Sequence, residues 1–124
     1  MIDVLESLVE QIRTIEGFED RVYRKWPKTK PRFPCCLIYR ISAVPTLTDG
    51  DGREIRTQLV YSADISGHDP DEADTLAEQV IDILAAFNFH RTGDMEFYDD
   101  LTRASRRVLT FMGEVDIRGN TYTN

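Results

Sequence analysis

Cysteine is scarce in this chain, and its placement excludes two kinds of site. The two cysteines, Cys35 and Cys36, are adjacent. Because neighbours on an extended strand point to opposite faces, a disulfide between them would be strained, and we expect two reduced thiols. A structural zinc site needs ligands at a C-x-x-C or similar spacing, which the sequence lacks. We therefore predict no disulfide and no metal site.

Long apolar runs and a basic N-terminus are also missing. No segment approaches the ~20 apolar residues of a membrane helix, and the stretch MIDVLESLVEQI has acids where a secretory signal needs basic residues. Basic residues number 15 against 22 acidic ones, a formal net charge of -7. Such a surface repels nucleic acid and anionic lipid unless the basic groups are concentrated. We expect a cytoplasmic protein with no membrane partner.

Catalytic motifs are absent as well. The serines lie in no G-x-S-x-G turn, no glycine-rich phosphate loop occurs, and only His68 and His90 are available as a general base. The stretch DGDGRE resembles a calcium loop, but Arg53 and Val60 occupy positions where an EF-hand needs oxygen ligands. We therefore predict no catalytic residue, no cofactor and no enzyme activity.

The carboxylates beside His68, in SGHDPDEADTLAEQV, have a structural explanation. Asp69 is suited to cap the first turn of a helix, Pro70 to its first position, and Glu72 to a capping-box spacing. This helix is predicted to reach about residue 86. Its apolar stripe, expected in the core, consists of Ala73, Leu76, Ala77, Val80, Ile81 and Leu84.

Apolar spacing predicts the longer elements elsewhere. Steps of three and four residues indicate a helix over 2–15. Alternation and β-branched residues indicate strands over 36–43, 55–66 and 107–117. Two Asp-Gly steps predict that the first two strands form a hairpin with a projecting tip. In the third strand we expect an inward-facing set of Leu109, Phe111, Val115 and Ile117.

These elements predict an α+β fold, an antiparallel sheet of about four strands with two helices packed on one face. Short strands at 21–26 and 88–92 remain open, and the polar stretch GDMEFYDDLTR is predicted to be a loop or an edge. We expect residues 1–117 to form a single domain and residues 118–124 a flexible C-terminal tail.

Charge is distributed unevenly along the chain. Residues 21–34 contain six basic residues and no acid, whereas residues 69–101 contain ten acids against only Arg91. Such runs are commonly solvated faces. The sharper interpretation is that a basic loop of one subunit meets an acidic helix of the next and closes a ring. The predicted subunit interface comprises Arg24, Lys28, Arg32, Asp74, Glu78 and Asp82.

Three stretches carry a resemblance to a known family: VYRKWPKTKPRFPCCLIYRIS, QLVYSADISGHDPDEADTLAEQVIDIL and RVLTFMGEVDI. Together with the N-terminal helix they resemble the tail terminator, or tail-completion, proteins of long-tailed bacteriophages over about residues 1–117. The resemblance implies a small α+β subunit that forms a homo-hexameric ring on the end of the tail tube. Such a ring stops tube polymerisation and provides the surface that joins tail to head.

The resemblance also implies partners and a place of action. The partners are the major tail-tube protein and a head-completion or connector protein, and genomic DNA passes through the ring lumen without specific binding. No cofactor is implied. The subunit is expected in the host cytoplasm during assembly and then at the head–tail junction of the virion. The hairpin tip, expected to contact the tail tube, contains Thr46, Leu47, Thr48, Asp49, Asp51 and Arg53.

Other functions stay open at the level of sequence. One is another head–tail connector or neck component, or a cellular interaction module with the same two-layer fold. Another is a nucleic-acid-binding module that uses the basic 21–34 loop, which we cannot match to a fixed family motif. There Trp26 and Phe33 would stack on bases, and Lys25, Lys28 and Lys30 would contact phosphates.

Overall fold

A computed structural model describes residues 3–29 and 31–122, with Glu54 described by its backbone alone. In chain order its elements are α1 (Leu5–Ile12), β1 (Val22–Tyr23), β2 (Cys35–Thr48), β3 (Glu54–Gly67), α2 (Pro70–Ala86), β4 (His90–Asp99), β5 (Ala104–Asp116) and β6 (Thr121–Tyr122). The α+β class and the two helices are confirmed. Residue 2, where the first helix was predicted to begin, and Lys30 lie outside the described residues.

The strands form one mixed sheet in the order β1-β2-β3-β5-β4, with β6 paired to β5. β1 runs parallel to β2, and every other pairing is antiparallel. The prediction of about four antiparallel strands is therefore too low, and the sheet is partly parallel. β1 and β6 have two residues each. Segments this short carry no periodicity, and pairing with a long neighbouring strand determines them.

Both helices pack on one face of the sheet. Alternate residues of β3, among them Leu59, Tyr61 and Ile65, are fully buried and share a core cluster with Leu8 of α1 and Val80 of α2. The alternation that predicted this strand is the reason, because every second side chain points to the helices. Neither described helix packs on the opposite face, and we call it the open face.

The start of α2 agrees with the prediction. Asp69 Oδ1 accepts a hydrogen bond from the Glu72 amide at 2.8 Å, and Pro70 is the first helical residue. The Glu72 carboxylate reaches one residue further back than a capping box requires, accepting from the His68 amide at 2.9 Å. The four acids that follow His68 thus lie at the N-cap of α2 or in its first turns, as the spacing indicated.

Several boundaries differ from prediction, among them that of α1, which spans Leu5–Ile12 within the predicted 2–15. The polar stretch GDMEFYDDLTR, expected to be a loop or an edge, mainly forms an edge strand, because β4 continues through Asp99 along β5. Ile117 was predicted to face inward, yet its side chain is 63% exposed. β5 ends at Asp116 and the chain then turns through Gly119, which has φ +80°.

The C-terminal segment returns to the sheet. Thr121 and Tyr122 form β6 and pair with Val115 and Glu114 of β5. Residues 123 and 124 lie outside the described residues. Whether the predicted tail is flexible in solution stays a prediction.

Both cysteines are buried and free of disulfides. Burial raises the pKa of Cys35 to about 11, with a partly opposing hydrogen bond to Ser66. Burial also raises the pKa of Cys36. At neutral pH both thiols are therefore protonated, and they act as small buried groups of β2.

Candidate functional site

The basic segment lies along the β1 edge of the sheet. A groove beside β1 is lined by Arg21, Tyr23, Pro27, Thr29 and Arg32, with Asp20 and Pro31. Lys28, between two of these groove residues in sequence, is exposed. Arg24 Nη1 is 3.9 Å from the carboxylate of Glu6 on α1, and both side chains are exposed. Of the predicted basic interface residues, Arg32 therefore lines this groove, Lys28 is exposed in the same loop, and Arg24 lies beside α1.

The loop after β1 covers one end of the open face and buries an ion pair there. Arg106 of β5 donates through Nε to Asp64 Oδ1 at 3.1 Å and through Nη2 to Oδ2. Its Nη1 lies 3.6 Å from the carboxylate of Asp99. The hydrogen bonds to Asp64 raise the pKa of Arg106 despite its partial burial. The Phe97 ring stacks on the guanidinium, 4.7 Å from Cζ to the ring centroid.

A cavity of about 230 Å³ lies between this loop and the sheet. Its lining residues are Trp26, Pro31, Phe33, Ser66, Asp99, Thr102 and Arg106. The hydroxyl oxygen of Thr102 is buried without a hydrogen-bond partner. Trp26 is 41% exposed, with Arg106 6.0 Å from its ring centroid. The aromatic residues of the loop thus face the sheet as well as solvent.

A second cluster occupies the helix side of the sheet. Arg107 of β5 donates through Nε to Asp94 of β4 at 3.2 Å and through Nη1 to Asp74 of α2 at 3.3 Å. Its Nη1 is also 3.8 Å from the Glu78 carboxylate. The hydrogen bonds to Asp94 raise the pKa of Arg107. Two of the three predicted acidic interface residues therefore contact a cation of their own chain. Asp82, the third, is exposed.

The sequence interpretation did not single out either arginine. The signal was present in ASRRVLTF, where two adjacent cations precede the apolar residues of a predicted strand. A charged residue at a buried strand position needs a partner of opposite charge, so two adjacent ones indicate partners on both faces of the sheet. Their partners come from β3, β4 and α2, which are distant in sequence, so spacing alone does not identify them.

The predicted tail-tube contact residues divide between strand and turn. Thr46, Leu47 and Thr48 belong to β2, so the strand extends five residues beyond its predicted end at 43. Thr46 donates its hydroxyl to Glu114 of β5 at 2.6 Å. The turn itself is short, because Asp49 Oδ1 accepts from the amides of Asp51 and Arg53 at 2.9 Å each.

The two histidines lie far apart on the sheet. His68 follows β3 at the Ser66 end, with its Nδ1 2.9 Å from the Glu72 carboxylate and its ring edge-on to Phe33. His90 pairs with Met112, which pairs with Val60. From Val60 to Gly67 a strand rises about 20 Å, so the histidines do not form one site.

No group of three or more histidine, cysteine, aspartate or glutamate residues within 3–29 and 31–122 is arranged to hold a metal ion. No described helix is long and apolar enough to cross a membrane. A scan of family models found no match to this chain, and a search of curated proteins found none either. The likeness to tail terminators therefore rests on the residues quoted above and stays a prediction.

Proposed function

We propose that this chain is a structural subunit of a phage or prophage tail that closes into a ring, most simply a hexamer, on the end of the tail tube. The ring ends tube polymerisation and presents the surface that joins tail to head. Its partners are other copies of the chain, the tail-tube protein and a head-completion protein, at the head–tail junction of the virion. The observation that carries this proposal is the separation of charge across one sheet.

The charge separation follows the strand order. The basic residues Arg21 and Arg32 line the groove at the β1 edge. The acidic segment of residues 69–101 contains α2 and β4, and β4 is the opposite edge of the sheet. Opposite charges on opposite edges favour head-to-tail association, in which each copy uses two different surfaces. Such an interface generates rings when the rotation between copies closes.

Fewer acidic residues are available to contact the basic segment than the sequence indicated. Asp74 lies 3.3 Å from Arg107 of its own chain, which leaves it less available to a neighbour. Glu78 is 64% exposed and its contact with Arg107 is 3.8 Å long, and Asp82 is exposed. We therefore expect Glu78 and Asp82 to contact Lys28 and Arg32 of the next copy.

A reciprocal charge reversal tests this contact. One variant carries Lys28→Glu with Arg32→Glu, and the other carries Glu78→Lys with Asp82→Lys. Each alone places like charges across every interface, so light scattering should show monomers. An equimolar mixture should restore rings, because alternating copies in an even-numbered ring meet with opposite charges. Glu10→Lys, at an exposed position on α1, is the control and should assemble like the unmodified chain.

Two results would count against the proposal at different levels. Rings formed by either reversed variant alone, at low and moderate salt, would remove the charge contact while leaving ring formation intact. An unmodified chain that stays monomeric at all concentrations and forms no caps on purified tail tubes in negative stain would remove the tail-terminator function. Binding to portal-bearing heads rather than to tubes would favour a different connector component.

A further inference from the structure

Exposed apolar side chains are concentrated on two strands. Ten large hydrophobic residues of the described chain are exposed, and seven of these belong to β2 or β4. On β2 they are Tyr39, Ile41, Val44 and Leu47, each at least 41% exposed. On β4 they are Met95, Phe97 and Tyr98, at 61%, 39% and 57%. Exposed apolar residues gathered in this way indicate an interaction surface.

The same two strands have free backbone edges. β1 pairs with β2 only at Cys36 and Leu37, so from Ile38 to Thr48 the described chain pairs β2 on its β3 side alone. Among the described strands β4 pairs with β5 alone, in an unbroken ladder from Gly93 to Asp99. Long edges with apolar side chains are rare on monomeric proteins, because their unpaired amides and carbonyls recruit another strand.

Strand directions make the two edges complementary. β2 and β5 run opposite to β3, and β4 runs opposite to β5, so β4 is antiparallel to β2. When a second copy is placed beyond β4 in the same orientation, its β2 therefore meets β4 in the antiparallel sense. Antiparallel pairing gives hydrogen bonds perpendicular to the strands. The contact joins two different edges and can repeat around a ring.

The charges at the strand ends favour the same direction. In the antiparallel sense, the end of β4, with Asp99 followed by exposed Asp100, meets the start of the neighbour's free β2 edge. That start lies beside β1, where Arg21 accepts a hydrogen bond from the Cys36 amide and lines the basic groove. A parallel arrangement would bring Arg91, near the start of β4, there instead, cation against cation.

We infer that copies of this chain join by pairing β4 of one with the free β2 edge of the next, so that one sheet continues around the ring. The inference rests on the proposed function, since it names the contact by which the ring subunits associate. Because β1 occupies the first part of the β2 edge, β4 must pair with the stretch from Ile38 onward. In a closed ring, this shift in pairing between neighbouring copies tilts the strands relative to the ring axis, as a stagger does in barrels.

Amide hydrogen exchange measured on the monomer and on the assembly tests this pairing. The outward amides of β4 and of residues 38–44 should exchange at least about tenfold more slowly in the assembly, because they become hydrogen-bonded. The variant Met95→Lys with Tyr98→Lys should stay monomeric with an unchanged circular dichroism spectrum, since both side chains are exposed. Ile117→Lys alters an equally exposed residue away from both edges and should assemble normally.

The outcomes separate this inference from the proposed function. Rings that form without slower exchange at β4 and β2, or that tolerate the two lysines, overturn the edge pairing and leave the ring itself standing. Slower exchange that appears only when tail-tube protein is added assigns the edges to that protein and also overturns the pairing. A chain that never assembles overturns both.

Discussion

Arg106 and Arg107 show how two neighbouring residues perform separate tasks. Consecutive strand residues point to opposite faces, so Arg106 lies among Asp64 and Asp99 on the open face and Arg107 among Asp74, Glu78 and Asp94 on the helix side. The carboxylates differ in exposure: Asp64 is 8% exposed at its side chain, whereas Asp74 and Glu78 are 49% and 64% exposed. Asp64 is the least exposed of these carboxylates, since even Asp94, the partner of Arg107, is 30% exposed at its side chain.

We predict that Arg106→Gln destabilises the fold more than Arg107→Gln does. Removing one partner of a buried ion pair costs about 3 kcal/mol, because the remaining carboxylate is buried without compensation. Loss of Arg107 leaves acids that water reaches, so we expect a cost of about 1 kcal/mol. Urea unfolding followed by circular dichroism measures both. Adding Asp64→Asn to Arg106→Gln should recover part of the loss, and equal costs for the two single variants would contradict this order.

At the scale of elements, β6 depends on one carboxylate. Asp116, the last residue of β5, accepts hydrogen bonds from the Tyr122 hydroxyl at 2.6 Å and from the Arg118 and Asn120 amides at 2.8 and 2.9 Å. The Tyr122 ring also lies under the guanidinium of Arg56, 3.9 Å from Cζ to its centroid. The two-residue strand β6 is thus stabilised by side-chain contacts of Tyr122 in addition to its backbone pairing with β5.

The Tyr122 hydroxyl first, and the amides after it, lower the pKa of Asp116 from 3.8 to about 2. Because the folded state favours the ionised form, the contact stabilises β6 above the ordinary carboxyl pKa and is lost as pH falls through about 2. Tyr122→Phe should therefore raise the pKa of Asp116 toward 3.8. Carboxyl NMR titration measures it, with exposed Tyr98→Phe as control. An unchanged pKa in Tyr122→Phe would show that the amides alone hold the carboxylate ionised.

At the scale of the whole molecule, net charge opposes the nucleic-acid alternative. The chain carries -7 overall, and among the described residues the groove at the β1 edge has only two basic lining residues, Arg21 and Arg32, with Asp20 beside them. Trp26 and Phe33 line a cavity against the sheet, which restricts their faces for stacking on bases.

We predict no measurable binding to duplex or single-stranded DNA at about physiological salt, measured by fluorescence anisotropy with labelled oligonucleotides. A chain of this net charge repels phosphate. Affinity that falls steeply with salt and disappears when Lys25, Lys28 and Lys30 are neutralised would instead establish the nucleic-acid-binding function.

Local signals determined α2. Its cap, its proline and its apolar stripe act within one or two helical turns, so the sequence predicts Pro70–Ala86 almost to the residue. The hairpin strands were found for the same reason, since alternation acts over neighbouring residues. By contrast β4 is exposed at nearly every position and carries no alternation. It forms a strand because its backbone pairs with that of β5.

The sequence by itself determined the fold class, the two helices, the buried face of β3 and the segregation of acidic from basic residues. Each of these depends on periodicity or composition, which neighbouring residues set. The tertiary structure alone decided which acids Arg106 and Arg107 bind, that β1 and β6 complete the sheet, and that β2 and β4 remain as free edges. Those features join residues 6 to 42 positions apart, as in Val115 with Thr121 and Arg106 with Asp64, and only the packed chain brings such residues together.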